Sequence, residues 1–422
     1  MDLPVSWELA GRVGTRVAGA RGLTRLGTGQ DPQADMSSLE SDFAEVTAIA
    51  EEMVARSTGL RPLAGPARAL VVDRPAWVQA NLASFRSMLE RALAEVDRPL
   101  PGGLLGGAAA GATRAAAGAE LGALLGWMSS RVLGQYDILL AEAEDEGGVV
   151  SYVGPNVAAM ERRHGFPPRQ FRLWIAIHEV THRAQFTGVP WMREYFVGLV
   201  ERSIAALVPD PARMGEVFRR LADSLGKGVN PLGDMGLLGV MLSPEQLGAV
   251  EQVQALMSVL EGHGDVTMDR AGHDALPEAR WFSQVLRDRR RHPPIGARIV
   301  QQLSGIGAKM RQYEQGERFV RAVEAAGGPE LFAKVWQGAE WLPTLDELRE
   351  PQSWLDRCDG GSGMPSAGSA NQADPAGSAN QADPAGSANQ ADPAGSAVPG
   401  APSGPPGAPQ GHAAAVDVPL GP

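Results

Sequence analysis

The segment PPRQFRLWIAIHEVTHRAQF, from Pro167 to Phe186, constrains the fold of this chain more than any other. Two prolines at its start are typical of the first turn of a helix, and the apolar residues that follow recur at helical spacing. Within this apolar helix lie His178 and His182, with Glu179 next to the first of them. Buried imidazoles need polar partners, so other parts of the chain must fold around this helix to supply them.

The spacing of the two histidines predicts a metal site. Residues four apart on a helix share one face, with Cβ atoms roughly 5–6 Å apart, so both imidazoles can bind one ion. Zinc prefers such nitrogen ligands. Glu179 lies about 100° around the helix from His178, where it can reach a water molecule on the metal. The pattern HExxH therefore predicts a zinc site formed by His178 and His182, with Glu179 as the catalytic general base for attack on a carbonyl.

A third protein ligand is needed if the fourth position is to remain open for water. The extended pattern HExxHxxGxxH is absent, because Gln185 and Gly188 stand where its glycine and last histidine would be. A carboxylate on a later helix is the other common solution. Glu261, in EGHGD, continues an apolar stripe on which an unpaired carboxylate would be costly. Asp265 is then expected to orient a ligand histidine through its second ring nitrogen.

His263 is the alternative third ligand, since it follows an adjacent apolar face of the same predicted helix. Periodicity does not decide between the two residues, and Gly262 and Gly264 are expected to loosen the helix here. Glu261 is the favoured ligand. The other histidines lie in loop-like, pre-proline or tail contexts: His164, His273, His292 and His412.

A developing oxyanion also needs a hydrogen-bond donor near the metal. Tyr313 and Arg318, in KMRQYEQGERF, are candidates for this role. Arg183 and Tyr195, near the predicted metal helix, are further candidates. Each of the four side chains could equally serve ordinary packing or a surface ion pair, so the choice stays open.

The rest of the pattern before residue 359 is mostly helical. Helices are predicted from Asp73–Pro75, over Ala108–Leu133, from Ser243–Pro244 and over Ile299–Val323. Thr344 with Glu347 resembles a capping box for a short last helix. The expected fold is therefore mainly α.

Strand signals are few. The best covers Gly148–Val153, and Ala69–Val72 is a second possibility. At most one small β-sheet is expected, beside the HExxH helix. Val149–Val153 is expected to be joined to that helix by a short connection and to hold an extended substrate.

A change in composition near Cys358 predicts two regions. Residues 1–358 are predicted to form a metallohydrolase domain, and residues 359–422 a disordered low-complexity tail. The nonapeptide AGSANQADP starts at Ala367, Ala376 and Ala385 in this tail, which has almost no large apolar side chains to bury.

Charge and cysteine content exclude several classes of protein. The formal net charge is -11, so the chain lacks the overall positive charge that favours binding to nucleic acid or to an anionic membrane. The single cysteine excludes an intrachain disulfide and a cysteine-based metal site. The N-terminus has no signal-peptide pattern, and no run of about 18 apolar residues occurs. A cytoplasmic protein is expected, without nucleic acid or membrane as a partner.

Several segments resemble the actinobacterial zincin-like metallopeptidases of type 2, some of which carry a label associating them with deazaflavin-coenzyme biosynthesis. The resemblance covers roughly residues 5 to 356. It implies a zincin-like helical fold, zinc at His178 and His182, and Glu179 as the catalytic acid/base. The matching segments are VVDRPAWVQANL, YVGPNV, FRLWIAIHEVTHRAQF, EGHGDVTMD, KMRQYEQGERFV and LPTLDELREPQSWL.

Two functions are compatible with these residues. The first is a zinc-dependent metallopeptidase-like hydrolase acting on a peptide or amide carbonyl. The alternative is a non-catalytic protein in which zinc stabilises the helical core and a cleft binds a peptide or partner. Glu179 favours the enzyme, because a purely structural zinc site would not need it.

Overall fold

The computed structural model describes residues 5–20, 32–63, 65–94, 107–138, 148–205, 244–272, 275–291 and 306–360. The chain divides into two units, Met1–Ser366 and Ala367–Pro422, and all described residues belong to the first. The predicted tail beyond residue 360 therefore lies outside the described residues, as do His273, His292 and His412. The predicted domain boundary and the disordered tail remain predictions.

Twelve helices and three short strands form the described part of the chain, which confirms the mainly α prediction. The elements up to the HExxH helix are α1 (Trp7–Ala20), α2 (Pro32–Thr58), β1 (Arg68–Val72), α3 (Arg74–Ala94), α4 (Gly107–Met128), β2 (Gly134–Tyr136), β3 (Val149–Val153), α5 (Gly154–His164) and α6 (Pro168–Gly188). The later helices are α7 (Met192–Ala205), α8 (Pro244–Gly272), α9 (Ala279–Arg291), α10 (Ile306–Phe332), α11 (Leu345–Arg349) and α12 (Pro351–Asp359).

The three strands form one mixed sheet in the order β1-β3-β2. β3 pairs in parallel with β1, Arg68 opposite Val149, and antiparallel with β2, Gly134 opposite Tyr152. β3 is thus the central strand, with a neighbour along each edge, so it is not an open edge to which a substrate strand could be added. The expectation that Val149–Val153 holds an extended substrate is wrong, and α5 separates this strand from the HExxH helix.

A buried asparagine holds the loop that leads into β2. Asn156 Nδ2 donates to the carbonyls of Ser129 (2.7 Å) and Val132 (2.6 Å). Its Oδ1 accepts from Arg74 Nε at 2.7 Å. The donor and the acceptor of the Asn156 amide are both satisfied within the protein, as burial requires. Asn156 thus belongs to the first turn of α5 and fixes the loop that precedes β2.

Helix α6 lies at the centre of the larger hydrophobic core. Pro168 at its first turn needs no backbone N–H there, and its apolar side chains from Phe171 to Phe186 are almost all buried. α2 and α8 pack against α6, and α10 packs on the far side of α8. A helix buried on most of its circumference must satisfy its polar side chains internally, which is what the sequence pattern predicted.

Helix α8 runs without interruption through EGHGD, so the expected loosening at its glycines is wrong. Gly262 instead allows close approach, since a Cβ there would lie 2.2 Å from the backbone carbon of Gly316 on α10. The two helices are thus in backbone contact next to Glu261. The crossing fixes the position of that residue relative to the rest of the core.

The capping box predicted at the last helices is present. Thr344 Oγ1 accepts from the Glu347 N–H, and the Glu347 carboxylate accepts from the Thr344 N–H at 2.9 Å. The predicted helix over Ile299–Val323 is described from Ile306 and extends to Phe332, beyond a break at Gly327 and Gly328. Among the described residues, no helix is long and apolar enough to cross a membrane.

Candidate metal centre

The structure brings His178, His182 and Glu261 together at the contact of α6 with α8. One ligand atom from each of the three lies within 4.8 Å of the others. The two Nε2 atoms are 3.1 Å apart. Glu261 Oε2 lies 3.7 Å from His178 Nε2, and Oε1 lies 3.9 Å from His182 Nε2. Its carboxylate therefore faces both imidazoles.

The donor set fits zinc. Nitrogen ligands about 2.0–2.1 Å from a tetrahedral ion lie about 3.3 Å from each other, close to the observed 3.1 Å between the Nε2 atoms. The three side chains are 13–25% exposed, so the cluster is accessible from solvent while being largely enclosed. Two histidines and one carboxylate leave one position of a tetrahedral ion open, as in hydrolytic zinc sites.

Gly264 makes room for the two imidazoles. A Cβ at this position would lie 3.3 Å from His178 Nδ1 and 3.6 Å from His182 Cε1. The glycine lies three residues after Glu261 on α8, directly beneath the two rings. The sequence offered this glycine only as a helix-weakening residue, and its steric role follows from the packing of α8 against α6.

Glu179 is buried beside the cluster, with 7% of its surface exposed. The backbone N–H of Tyr136 on β2 donates a hydrogen bond to its carboxylate. Burial raises the pKa of Glu179 to about 7, and His182 acts in the opposite direction by favouring the charged form. A carboxyl group with a pKa in this range can both accept and release a proton near neutral pH.

Strand β2 was not predicted from the sequence, yet it contacts this glutamate. A Cβ at Gly134 would lie 2.6 Å from Glu179 Cγ and 2.7 Å from its Oε1. The strand has only three residues, GQY, and lacks the run of β-branched residues by which strands are recognised. Only its pairing with β3 shows that it is a strand.

His263 is not part of the cluster. Its ring is 3% exposed and lies between Phe332 and Trp336, with centroid separations of 5.3 and 5.0 Å. Its Nδ1 lies 2.9 Å from Gln185 Nε2. Burial lowers the pKa of His263 to about 3, so the ring is neutral. In this structure Glu261, and not His263, faces the two histidines of the motif.

Three other predicted site residues, Asp265, Tyr313 and Arg318, are not part of the His178–His182–Glu261 cluster among the described residues. Asp265 and Trp174 line a cavity of about 30 Å³. Asp265 lies one helical turn after Glu261 on α8, and Trp174 lies one turn before His178 on α6. The expected role of Asp265 in orienting a ligand histidine stays a prediction. The side chain of Tyr313 lies outside the described part of the chain, whereas Arg318 is exposed on α10.

Two further candidates are held by other contacts. Arg183 is fully buried and donates to Glu51 at 2.5 Å and to the carbonyl of Gly65. Tyr195 packs edge-to-face on Trp191, with ring centroids 5.7 Å apart. His164 stacks on a neighbouring phenylalanine at 5.2 Å. None of these three belongs to the described His-His-Glu cluster.

The helical fold and this cluster define a protein of the zincin class. The chain belongs to the family described as zincin-like metallopeptidase, whose model matches residues 5–355. It is also similar to a crystal structure from Chloroflexus aurantiacus described as "a putative hydrolase with a novel fold". That likeness has 30% identity and a TM-score of 0.60, and covers 84% of this chain and 99% of the other. No curated protein matches the chain.

Family and structural likeness together support a hydrolase-like function. The family also implies a metal, and in this class the metal is typically zinc. Among the described residues, one group of side chains could hold such an ion: His178, His182 and Glu261.

Proposed function

We propose that this protein is a zinc-dependent hydrolase that cleaves a peptide or amide bond. His178, His182 and Glu261 would hold the ion, and Glu179 would act as general base. Zinc bound at such a site supplies a Lewis acid that polarises a carbonyl and lowers the pKa of water.

The chain's own contribution to the reaction centres on Glu179. Its carboxylate would accept a proton from the attacking water and pass it to the leaving amine. The Tyr136 N–H holds the carboxylate in place, and the absence of a side chain at Gly134 leaves room for it. A fixed base avoids the reorganisation that a mobile side chain would undergo during the reaction.

The position of Glu179 is the observation that carries this proposal. A site that only stabilises the fold needs ligands but no buried, hydrogen-bonded carboxylate beside them. Burying a carboxylate is costly unless it is well paired. Here one residue next to a metal ligand has that environment and a pKa raised to about 7. Such an environment is typical of a catalytic acid or base.

The outer edge of β2 is suited to an extended substrate. Leu133 O accepts from the Val153 N–H, so alternate residues of this segment face β3. The Tyr136 N–H donates to Glu179 instead, which places the backbone groups of Gly134 and Tyr136 on the side away from β3. We propose that the backbone groups of β2 that bond neither β3 nor Glu179 bind the substrate, in place of Val149–Val153.

The test is the metal content of the full chain and its turnover of a quenched fluorescent peptide library. We expect about one zinc per chain in the wild type, loss of zinc in His178→Ala and Glu261→Ala, and retention in His263→Ala when zinc is supplied at a saturating concentration. We expect Glu179→Gln to retain zinc and to lose turnover of any peptide that the wild type cleaves.

The alternative, a zinc-stabilised binding protein, makes a different prediction for the same set of variants. If zinc is bound but wild type and Glu179→Gln behave alike on every peptide, the result supports a binding protein and contradicts a hydrolase that uses Glu179 as its base. If zinc is retained in Glu261→Ala and lost in His263→Ala, the third ligand is His263. If the wild type takes up no metal when zinc is supplied, the zinc hydrolase is wrong.

A further inference from the structure

Gln185 lies fully buried behind the cluster of His178, His182 and Glu261, three residues after His182 on α6. Its amide makes three contacts of hydrogen-bond length. Oε1 lies 3.0 Å from His182 Nδ1, and Nε2 lies 3.0 Å from the carbonyl oxygen of Leu260 and 2.9 Å from His263 Nδ1. Gln185 thus connects a proposed zinc ligand to a buried histidine on α8.

The Leu260 carbonyl determines which way this amide points. A carbonyl oxygen only accepts, so the group facing it must be the NH₂ of Gln185. The second N–H of that NH₂ then donates to His263 Nδ1, which must be unprotonated. Only Oε1 remains for His182, and an amide oxygen only accepts. His182 Nδ1 must therefore carry a proton and donate it.

The tautomer of His182 follows from this chain of contacts. With its proton on Nδ1, the neutral ring has its lone pair on Nε2. Nε2 is the atom that faces His178 Nε2 at 3.1 Å and the Glu261 carboxylate at 3.9 Å. The amide therefore presents the lone pair of His182 to the place where the ion would lie.

His263 holds the other end of this series of hydrogen bonds. Its ring stacks on Phe332 with 17° between the planes and meets Trp336 edge-on at 70°. The Trp336 carbonyl in turn accepts from Trp191 Nε1 at 2.9 Å. A histidine clamped between two aromatic rings cannot turn away from Gln185 without losing these contacts.

We propose that Gln185 and His263 form a positioning relay that sets the tautomer and ring orientation of His182 for metal binding. This inference rests on the proposed metal site at His178, His182 and Glu261. Partners of this kind on ligand histidines change metal affinity by about 10–100-fold when they are removed. Both residues act through His182 and contact neither metal nor substrate.

The first experiment reads the tautomer without metal. In the histidine-labelled, metal-free full chain at alkaline pH, nitrogen–proton NMR correlations of the imidazole should show His182 protonated on Nδ1. In Gln185→Met the same ring should become a mixture of tautomers or shift to Nε2–H. An unchanged tautomer in Gln185→Met would overturn the relay whether or not the chain binds zinc.

The second experiment compares zinc affinity with stability, using competition with a chromophoric chelator and thermal unfolding of the metal-free chain. Gln185→Met removes the acceptor for His182 and should weaken zinc binding by about 10–100-fold. Gln185→Glu keeps an acceptor but turns an oxygen toward the Leu260 carbonyl, so it should unfold more easily than Gln185→Met while binding zinc more tightly.

Thr181→Val is the matched control, because Thr181 is fully buried on the same helix and its hydroxyl donates to the Ile177 carbonyl, at 2.7 Å, and not to any residue of the proposed relay. It should leave zinc affinity within about twofold of the wild type. If zinc affinity simply follows stability across the three variants, Gln185 has only a structural role and the relay is wrong. A wild type that binds no zinc would instead contradict the proposed function, and the tautomer measurement would still decide the relay.

Discussion

At the scale of single residues, the site depends on two positions that lack a side chain. Gly264 leaves space for the rings of His178 and His182, and Gly134 leaves space for the carboxylate of Glu179. Neither position carries a chemical group that a sequence pattern could have indicated. Each is instead defined by what lies against it, so each can be tested by adding a single methyl group.

Gly264→Ala should weaken zinc binding several-fold with little effect on folding. The added Cβ would lie 3.3 Å from His178 Nδ1, tighter than ordinary van der Waals contact, so the imidazole must move away from the ligand position. Chelator competition measures the change. Gly248→Ala on the same helix is the control, since among the described residues no atom beyond the adjoining turns of the helix lies within 4 Å of its added Cβ. Equal zinc affinities in the two variants would contradict the steric role of Gly264.

Gly134→Ala should reduce turnover while zinc remains bound. A Cβ 2.7 Å from Glu179 Oε1 must displace the carboxylate, and a displacement of about 1 Å can cost about 100-fold in rate. The measurement is kcat on any peptide that the wild type cleaves, beside the zinc content of the same preparation. Full turnover in this variant would show that the position of Glu179 is not limiting.

At the scale of elements, the site is a contact between two helices that a third helix holds in place. α6 carries both histidines and Glu179, α8 carries Glu261, and α10 crosses α8 in backbone contact at Gly262 and Gly316. The distance between the carboxylate and the imidazoles therefore depends on how α8 is held. The short strand β2 completes the arrangement from the other side of α6.

Gly316→Ala should destabilise the protein by about 1–3 kcal/mol or more, the usual effect of overpacking a core. Its Cβ would lie 1.8 Å from the carbonyl oxygen of Ser258, a backbone atom that cannot move independently of α8. Urea unfolding of the metal-free chain measures the free energy. The matched control is again Gly248→Ala, which should be neutral or slightly stabilising. A Gly316→Ala variant as stable as this control would contradict the close crossing.

At the scale of the whole molecule, the proposed ion would couple elements that are far apart in the chain. His182 and Glu261 are separated by 79 residues, and α6 and α8 both belong to the larger hydrophobic core. An ion bound to both helices in the folded state has no comparable site in the unfolded chain. Metal binding should therefore contribute to folding stability.

Removal of zinc should lower the temperature of unfolding of the wild type. At free zinc about 1,000 times above the Kd, binding contributes about 4 kcal/mol, all of which a chelator removes. Differential scanning calorimetry with and without chelator measures the shift. His178→Ala should show no chelator effect, since it lacks a ligand. A wild type that is equally stable under both conditions would contradict metal binding.

Much of the architecture was predictable because its signals are local. Helical periodicity and proline positions indicated the mainly α fold, and Thr344 with Glu347 correctly indicated a capping box, which lies at the start of α11 and not of the last described helix, α12. The central strand was also recognisable from its apolar run. β2 was not, since three residues without β propensity form a strand only by pairing with a neighbour. The substrate role given to Val149–Val153 was wrong for the same reason, because pairing decides which strand has a free edge.

The helix that carries His178, Glu179 and His182 could be predicted from local sequence pattern, because residues four apart on a helix share a face in any fold. Tertiary structure alone placed Glu261, and not His263, in front of these histidines. Both residues lie on apolar faces of α8, and only the packing of α8 against α6 and α10 selects between them. The contacts of Gln185, Gly134 and Gly264 likewise arise between elements, where no local pattern records them.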